Sequence, residues 1–405
     1  MPKNTCDRCM YALMSVLAVT QVTQAQSFNV LYTFGGTPGG ENPYGTPLVH
    51  DGVLYGTTVA GGGSNRACLG EGETCGTVFQ FDLASRTETV LHDFVGSPDG
   101  ALPYAGLFRD AAGNLYGTTD QGGTANYGVV FEVDVAGTES VLHSFNGTDG
   151  AWPWGGLVGD SQGNLFGATG GTTVGSRLGT LFELNPSGQL TTLTSVYSSL
   201  SALRLKSAEL YGTDATAGTY GDGTVFAFNA LNRKMTVLYT FTGGADGGYP
   251  EGSLTADSSG NLYGTTACGG SSTCTLGSGG NGVVFMLNPL TGEQTVLHAF
   301  GGYPDGVQPN GQLVIDSSGN VYGVTAFGGS NLCNSGSIGC GTVFKLTPPA
   351  APGGTWTETI LHNFTGDDGW EPLSGLTADS RGHLYGVCFL GGSNLNAGTL
   401  FELTP

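Results

Sequence analysis

The sequence predicts an all-β fold, a seven-bladed β-propeller with four antiparallel strands per blade and an N-terminal strand that closes the last blade. Three observations lead to this prediction: the composition, a short motif that recurs seven times, and the complementary ends of the chain. The 405 residues include 73 Gly and 17 Pro, which break helices and favour turns, so a mainly helical fold is excluded. With 39% hydrophobic and 10% aromatic residues, the chain is too apolar to stay disordered.

The recurring motif is Gly-Thr/Val-Val/Leu-Phe, and its copies follow one another at intervals of 44 to 59 residues. They begin at Gly76, Gly128, Gly179, Gly223, Gly282, Gly341 and Gly398. Segments resembling VLHxF and GNLYGTT accompany nearly every copy, although the fourth unit has only the degraded TLTSV at Thr192 to Val196. These segments are short, rich in β-branched and aromatic residues, and bounded by Gly, Asp, Asn or Pro, as is typical of strands.

Each unit contains a fourth strand, a leucine-rich segment that precedes a tight turn of the form Asp-x-x-Gly-Asn, as at Asp110 to Asn114. Asp in the first position and Gly in the fourth suit a type I turn. A calcium loop is the alternative, but one carboxylate per turn supplies too few ligands. A single four-stranded sheet cannot bury both faces, whereas seven in tandem can stack around an axis.

The two ends of the chain favour a closed ring. The N-terminus begins with a lone VLHxF-type strand, Val30 to Phe34, and the chain stops at Phe401 to Leu403 in a Gly-Thr-Leu-Phe strand. Pairing these strands completes the seventh blade and leaves no exposed sheet edge. An open solenoid is the alternative, and it would need capping units at both ends.

The start of the chain is typical of an export signal. Lys3 and Arg8 precede the apolar run Tyr11 to Val19, and a small-residue cleavage site ends at Ala25. We therefore expect a signal peptide over residues 1–25 and a single propeller domain over 26–405, located in the periplasm, at the cell surface or outside a bacterial cell. A disordered start without an export role is the alternative. No segment after residue 25 is apolar enough to span a membrane.

The cysteines fit an oxidising compartment. Their positions predict three local disulfides, Cys68–Cys75, Cys268–Cys274 and Cys333–Cys340, and leave Cys388 as a buried free thiol. Metal binding by these pairs is the alternative, but no His accompanies them. We expect neither a metal nor a cofactor.

The charge restricts the partners. The formal net charge of −20 repels phosphate backbones and anionic lipid surfaces, so nucleic acid is excluded as a partner. A monomer is expected.

The run from Val237 to Leu287, VLYTFTGGADGGYPEGSLTADSSGNLYGTT followed by GVVFML, resembles the unit of the bacterial GloVer-type tandem-repeat proteins, and the match extends over residues 28 to 405. The resemblance implies an exported, propeller-like repeat protein, and it supplies no catalytic residues. Members carry various C-terminal cell-surface anchors, whereas no anchor segment follows Pro405. Release is therefore expected rather than attachment.

The loops after the six VLHxF-type strands have the most specialised sequence: five of them contain Asp-Gly with Pro three residues after the Gly, and each of these five also contains an aromatic residue. Aromatic faces stack on sugar C–H groups and carboxylates accept hydroxyl hydrogens, so these loops predict a binding face for a polysaccharide or a cell-surface glycan or protein. The predicted ligand-binding residues are Tyr44, Asp99, Tyr104, Asp149, Trp152, Trp154, Asp246, Tyr249, Asp305, Asp368 and Trp370. The alternative is structural, with each Asp capping backbone N–H groups of its own turn.

Catalysis has weaker support. His92, His143, His298 and His362 share one repeat position with Tyr32 and Tyr239, which indicates a structural role, and His50 and His383 are expected on the opposite face. Glu251 and Glu371 each occur in one unit only and could act as paired carboxylates. A secreted polysaccharide lyase or glycoside hydrolase is thus the alternative to a non-catalytic binding module.

Overall fold

The computed structural model describes residues 26–405 except 37, 64–73, 173–177, 198–201, 272, 275–279, 332, 334–338, 352 and 393–395. The predicted signal peptide and Cys68 lie outside the described residues. The described chain forms seven blade sheets of antiparallel strands arranged as a propeller and one two-stranded sheet in the loops, without a helix among the described residues, and the predicted fold class is confirmed.

We number the blades 1 to 7 along the chain from Leu48. The innermost strands, which surround the axis, are Leu48–His50, Phe108–Arg109, Val158–Gly159, Arg204–Lys206, Thr255–Ala256, Gly306–Ile315 and Thr377–Ala378. The second strands are Val53–Gly61, Leu115–Thr119, Leu165–Ala168, Glu209–Asp214, Leu262–Thr266, Val321–Gly328 and Leu384–Cys388.

The third strands carry the recurring Gly-Thr/Val-Val/Leu-Phe motif and are Thr77–Asp82, Val129–Val133, Leu178–Leu184, Thr224–Asn229, Val283–Leu287, Thr342–Thr347 and Thr399–Thr404. The outer strands are Thr87–Asp93, Glu139–Ser144, Leu190–Tyr197, Lys234–Thr240, Gln294–Ala299, Thr357–Asn363 and, for blade 7, Ser27–Thr33. Three short additional strands, Gly40–Pro43, Gly100–Ala101 and Gln121–Gly122, lie in the loops.

The predicted ring closure is present. Ser27–Thr33 pairs antiparallel with Thr399–Thr404, with Phe28 opposite Leu403 and Val30 opposite Phe401. The first strand of the propeller domain therefore supplies the outer strand of the last blade, and the edge of that blade is paired as the others are. The ring is closed and the solenoid alternative is wrong.

Aromatic side chains hold neighbouring blades together. At six of the seven seams, a buried Phe after an outer strand meets the buried Phe of the next blade's third strand edge to face. Phe34 of blade 7 and Phe79 of blade 1 are typical, with ring centroids 5.3 Å apart. At the seam between blades 3 and 4, Val196 replaces the first ring and packs in one cluster with Phe226. These contacts place the hydrophobic core between the blades.

The Phe of each third strand explains the Gly in the second-strand motif. A Cβ added to Gly56 would lie 2.6 Å from Cζ of Phe79, because that ring covers the glycine on the adjacent strand. The same approach recurs between Gly117 and Phe131 at 2.4 Å. The Tyr-Gly and Gly-Thr-Val-Phe motifs are thus two halves of one packing contact.

The Asp-x-x-Gly-Asn turns form the predicted hairpins. In blade 2, Oδ1 of Asp110 accepts hydrogen bonds from the backbone N–H groups of Gly113, at 2.7 Å, and Asn114, at 2.9 Å. Burial alone would raise the pKa of this carboxyl, but the hydrogen bonds outweigh it and lower the pKa. The carboxylate is engaged by its own turn, as a type I turn predicts.

Alternating strand direction places two classes of loop on one face, which we call the loop face. They are the loops from an outer strand to the next innermost strand and the loops between second and third strands. Bridges join the two classes directly, pairing Ala151 with Gly171 and Trp370 with Leu390. No helix in the described part of the chain is long and apolar enough to cross a bilayer.

Candidate functional site

The loop that leads into the innermost strand of blade 2 is clamped between two blades. In the loop before blade 2, the N–H of Leu102 donates to the carbonyl of Cys75 in blade 1, at 2.9 Å, and the Leu102 carbonyl accepts from Asp120 N–H, at 3.0 Å. The following Pro103 packs on Gly76, where an added Cβ would lie 2.8 Å from the proline Cδ. The loop thus bridges neighbouring blades.

Six of the seven loops that lead into innermost strands contain this proline, and the loop of the fourth unit does not. The residue before the proline has a left-handed backbone in all six, with φ between 54° and 58°. The six residues are Asn42, Leu102, Trp152, Tyr249, Gln308 and Glu371. Non-glycine residues adopt this conformation rarely, and here the hydrogen bonds to two blades hold it in place. One consequence is a fixed direction for the residue that follows the proline.

The residues after the six prolines all line one cavity on the axis. They are Tyr44, Tyr104, Trp154, Glu251, Asn310 and Leu373, and the cavity has a volume of about 770 Å³. Every blade contributes to its wall. A cavity of this size on a propeller axis, with aromatic and polar groups converging, is the strongest candidate for a binding site in the described part of the molecule.

One side of the cavity is an aromatic wall, formed by Tyr44, Tyr104 and Trp154 of consecutive loops. The Tyr44 and Tyr104 rings meet edge to face with centroids 5.2 Å apart, and Tyr104 stacks on Trp154 at 5.2 Å with planes 17° apart. Trp154 remains 56% exposed. Its indole N–H donates a hydrogen bond to the buried Asp120, which fixes the ring.

The opposite side is polar. Glu251, Ser253, Asn310, Gln312 and Ser374 line it, so carboxylate, hydroxyl and amide groups face the aromatic wall. The Glu251 side chain is open to the cavity, yet the surrounding walls displace enough solvent to raise the pKa of its carboxyl.

Tyr44 links the two sides of the cavity electrostatically. Burial, and then the negative charge of Glu251, raise the pKa of its hydroxyl to about 12, with smaller contributions from Tyr104 and Glu371. Tyr44 therefore stays protonated and available as a hydrogen-bond donor across the neutral pH range.

The cavity wall changes at the fourth unit. Between the outer strand and the innermost strand, the connection from Val196 to Leu203 is five residues shorter than the one from Phe145 to Leu157 and lacks the Asp-Gly and Pro. Ala202 and Leu203 line the cavity there, between Trp154 on one side and Glu251 on the other. A second hollow of about 320 Å³ continues along the axis and is lined by Phe108 and Arg204 among others.

The five predicted aspartates are engaged within their own loops. Each has Oδ2 between 3.0 and 3.4 Å from the His Nε2 or the Tyr hydroxyl at the shared repeat position, and each accepts at least one backbone N–H. The pairs are Asp99 with His92, Asp149 with His143, Asp246 with Tyr239, Asp305 with His298, and Asp368 with His362. These contacts agree with the alternative interpretation, in which each Asp caps backbone N–H groups of its own turn.

The remaining predicted residues separate into two groups. Trp152 reaches the cavity wall and meets Tyr127 edge to face at 5.7 Å. Tyr249, Trp370 and Glu371 are half-buried and do not belong to the wall; Trp370 packs on the core cluster of blades 6 and 7, and its buried indole N–H has no partner among the described residues. Asn310 and Leu373 line the cavity but were not among the predicted binding residues, because the prediction was based on the aromatic and acidic positions of these loops. A variable residue between an invariant Pro and a small residue was the signal for them.

The cysteine predictions are supported. Disulfides join Cys268 to Cys274 and Cys333 to Cys340 in loops between second and third strands, and Cys75 is also disulfide-bonded. Cys388 is free and buried. These loops lie on the same face as the cavity.

At two seams on the outer side of the ring, one His and two carboxylates approach one another within 4.8 Å. The groups are His92 with Asp99 and Glu139, and His298 with Asp305 and Glu358. In the second group, burial and then the charge of Asp305 raise the pKa of Glu358 to about 7. Because Glu358 belongs to blade 6 and approaches His298 of blade 5, this cluster is a contact between blades.

The molecule is thus a closed seven-bladed propeller with an open axial cavity on one face. The chain belongs to the Gloeobacter/Verrucomicrobia repeat family, whose model matches residues 67–272 and 195–338. This confirms the resemblance inferred from the repeats. No curated protein matches the chain.

Solved structures share the fold at low identity. The oligogalacturonate lyase of Vibrio parahaemolyticus is 11% identical with a TM-score of 0.54, over 93% of this chain and 96% of that one. A candidate 6-phosphogluconolactonase of Bacteroides fragilis is 17% identical with a TM-score of 0.52, over 84% and 89%. A second oligogalacturonate lyase, solved with manganese, is 12% identical with a TM-score of 0.52, over 94% and 96%. Identities this low support the fold alone.

Proposed function

We propose that this protein is an exported carbohydrate-binding propeller that holds a saccharide in the axial cavity of the loop face. One observation carries the proposal: Tyr44, Tyr104 and Trp154 form a continuous aromatic wall opposite Glu251 and Asn310. Sugar rings have apolar C–H faces and polar hydroxyl edges, so a site with one aromatic and one polar side complements them. The disulfides fit a protein that works in an oxidising compartment.

Preorganisation supports the proposal. Trp154 is fixed by Asp120, and its loop is held by backbone hydrogen bonds to two blades. A wall that is already ordered loses little conformational entropy when a ligand binds. Because Trp154 stays 56% exposed, its ring remains available to a sugar.

The test is retention of the protein, prepared from Gln26 onward, on an array of immobilised glycans. Trp154→Ala and Tyr104→Ala are expected to weaken retention of any bound glycan by about 1 kcal/mol or more each, the scale of an aromatic contact. Tyr220→Ala is the matched control, because this ring is 64% exposed and lies in a blade 4 loop of the same face outside the cavity wall. Equal losses in all three variants, or none in any, would contradict the proposal.

A secreted polysaccharide-degrading enzyme is the second candidate. Glu251 lies on the cavity wall with a raised pKa, a property that a general acid requires. Incubating each retained glycan with excess protein distinguishes the two functions. New reducing ends indicate a hydrolase and unsaturated products a lyase, whereas an unchanged glycan supports binding alone.

A further inference from the structure

The charged groups of the axial cavity all have one sign. Among the described residues that line it, the ionisable acids are Glu251 and Asp120, and none is Lys, Arg or His. Asp120 is buried and engaged by Trp154, which leaves Glu251 as the carboxylate that a ligand can reach. Arg204 lies farther along the axis, in the second hollow.

The charge of the whole molecule acts in the same direction. A net charge of −20 surrounds a concave site whose own accessible charge is negative. Such a cleft concentrates cations and disfavours anions before any contact forms. A uronic acid would bring its carboxylate against Glu251 without a basic partner in the cavity wall, and like charges at short range are unfavourable.

From these observations we infer that the cavity selects amino sugars, with a protonated ligand amine paired to Glu251 while the sugar ring lies on the aromatic wall. This inference rests on the proposed function and specifies its ligand class. The positions support both contacts at once: Glu251 and Trp154 lie on either side of the shortened fourth unit, and Asn310 and Gln312 continue the polar side beyond Glu251. Aromatic rings also attract a nearby ammonium group through their negative faces.

The pH dependence of this selectivity follows from the ligand amine and Glu251, because burial and the charge of Glu251 raise the pKa of the neighbouring Tyr44 hydroxyl to about 12 and keep it protonated. The pairing requires a protonated amine and an ionised Glu251. The cavity walls displace solvent around Glu251 and raise the pKa of its carboxyl, so acid weakens the pairing at a higher pH than it would for a glutamate surrounded by water. The preference for an amino sugar is therefore bell-shaped in pH, decreasing on the alkaline side as the amine loses its proton and on the acidic side as Glu251 gains one.

The experiment compares four tetrasaccharides by titration calorimetry at low salt: a β-1,4 glucosamine tetramer, its N-acetylated form, the corresponding glucose tetramer and a galacturonate tetramer. We expect the glucosamine tetramer to bind about tenfold more tightly than the glucose tetramer, on the scale of one close charge pair. The galacturonate tetramer is expected to bind most weakly. Added salt should reduce the difference.

Glu251→Gln is expected to bring the affinities for the glucosamine and glucose tetramers together. Glu293→Gln is the matched control, because Glu293 is an exposed residue in a hairpin of the same blade on the opposite face, and it should leave the tenfold difference unchanged. A difference that persists in Glu251→Gln overturns the assigned role of Glu251.

The remaining outcomes separate this inference from the proposed function. Equal affinities for amino and neutral tetramers overturn the selectivity and leave carbohydrate binding standing. Tightest binding of galacturonate overturns the selectivity as well and points to Arg204. Binding of none of the four, together with no retention on the glycan array, overturns both.

Discussion

The indole N–H of Trp154 donates a hydrogen bond to Oδ1 of Asp120, which belongs to the preceding blade. Asp120 is 7% exposed, and burial raises the pKa of its carboxyl. A buried carboxylate is costly unless it is hydrogen-bonded, so breaking this hydrogen bond is unfavourable for Asp120 as well as for Trp154. The hydrogen bond crosses the seam between blades 2 and 3 and fixes the most exposed ring of the aromatic wall.

Removing this hydrogen bond should loosen Trp154. Asp120→Ala is expected to leave the indole N–H without its acceptor. The expected cost is about 1 to 2 kcal/mol in the free energy of glycan binding or of unfolding. Asp120→Asn retains an acceptor oxygen and should restore most of the loss. Acrylamide quenching of tryptophan fluorescence measures the looser ring. If the Asn variant is as impaired as the Ala variant, the hydrogen bond is not what positions Trp154.

Gly76 and Gly52 both have a left-handed backbone, but replacing Gly76 with Ala should reduce the free energy of unfolding more. The φ of Gly76 is 88°, and an added Cβ would lie 2.2 Å from the Thr58 carbonyl oxygen and 2.8 Å from Pro103. Gly76→Ala is expected to reduce the free energy of unfolding by about 3 kcal/mol or more, because backbone strain and overpacking act together.

Gly52→Ala is the matched control for this substitution. Gly52 has a φ of 80° and nothing within 4 Å of the added Cβ, so only the strain of about 1 kcal/mol applies. Urea unfolding of both variants measures the difference. Equal losses would show that the proline of the next loop does not press on Gly76.

The seam between blades 5 and 6 should respond to pH through Glu358, His298 and Asp305. Burial raises the pKa of Glu358 to about 7, so the fold favours its protonated form, and this stability is lost as the pH rises through about 7. Burial lowers the pKa of His298, but the Asp305 carboxylate 3.4 Å away and Glu358 outweigh it and raise the pKa, so the contribution of His298 to stability is likewise lost as the pH rises. Asp305, with a lowered pKa, loses its contribution only in acid.

The wild-type protein is therefore expected to lose about 2 kcal/mol of stability between pH 5 and pH 8 relative to Glu358→Gln. Gln is compatible with this position, because Gln294 holds it at the preceding seam and donates to the Asp246 carbonyl at 3.2 Å. Thermal unfolding at the two pH values measures the change. A parallel pH dependence in wild type and variant would exclude Glu358 as its source.

Cys388 should be the one free thiol of the protein that begins at Gln26. Burial raises the pKa of this thiol, so iodoacetamide is expected to label no cysteine in the folded protein and one cysteine after unfolding. Cys388→Ser should remove that label. Intact mass measures both results, and three labelled thiols in the unfolded protein would contradict one of the three predicted disulfides, which peptide mapping of the labels would identify.

The architecture could be predicted because its determinants are local and repeated. Clusters of β-branched and aromatic residues, turn signals and the Gly-Thr/Val-Val/Leu-Phe spacing each act over a few residues, and seven copies make them unmistakable. Even the closing pair between Ser27–Thr33 and Thr399–Thr404 follows from counting strands. The sequence alone therefore determined the number of blades, the ring closure and the loop face.

The axial cavity depended on tertiary structure. Trp152, Trp154 and Trp370 occupy three different positions relative to the Pro of their loops, and nothing local in the sequence indicates which position faces the axis; Trp154, after the Pro, forms the aromatic wall, whereas Trp370 packs on the core. The difference arises because the left-handed residue before each proline is held by hydrogen bonds from two blades, and these contacts exist only once the ring has assembled. Side-chain direction is a property of that assembled backbone, whereas strand number is a property of the chain.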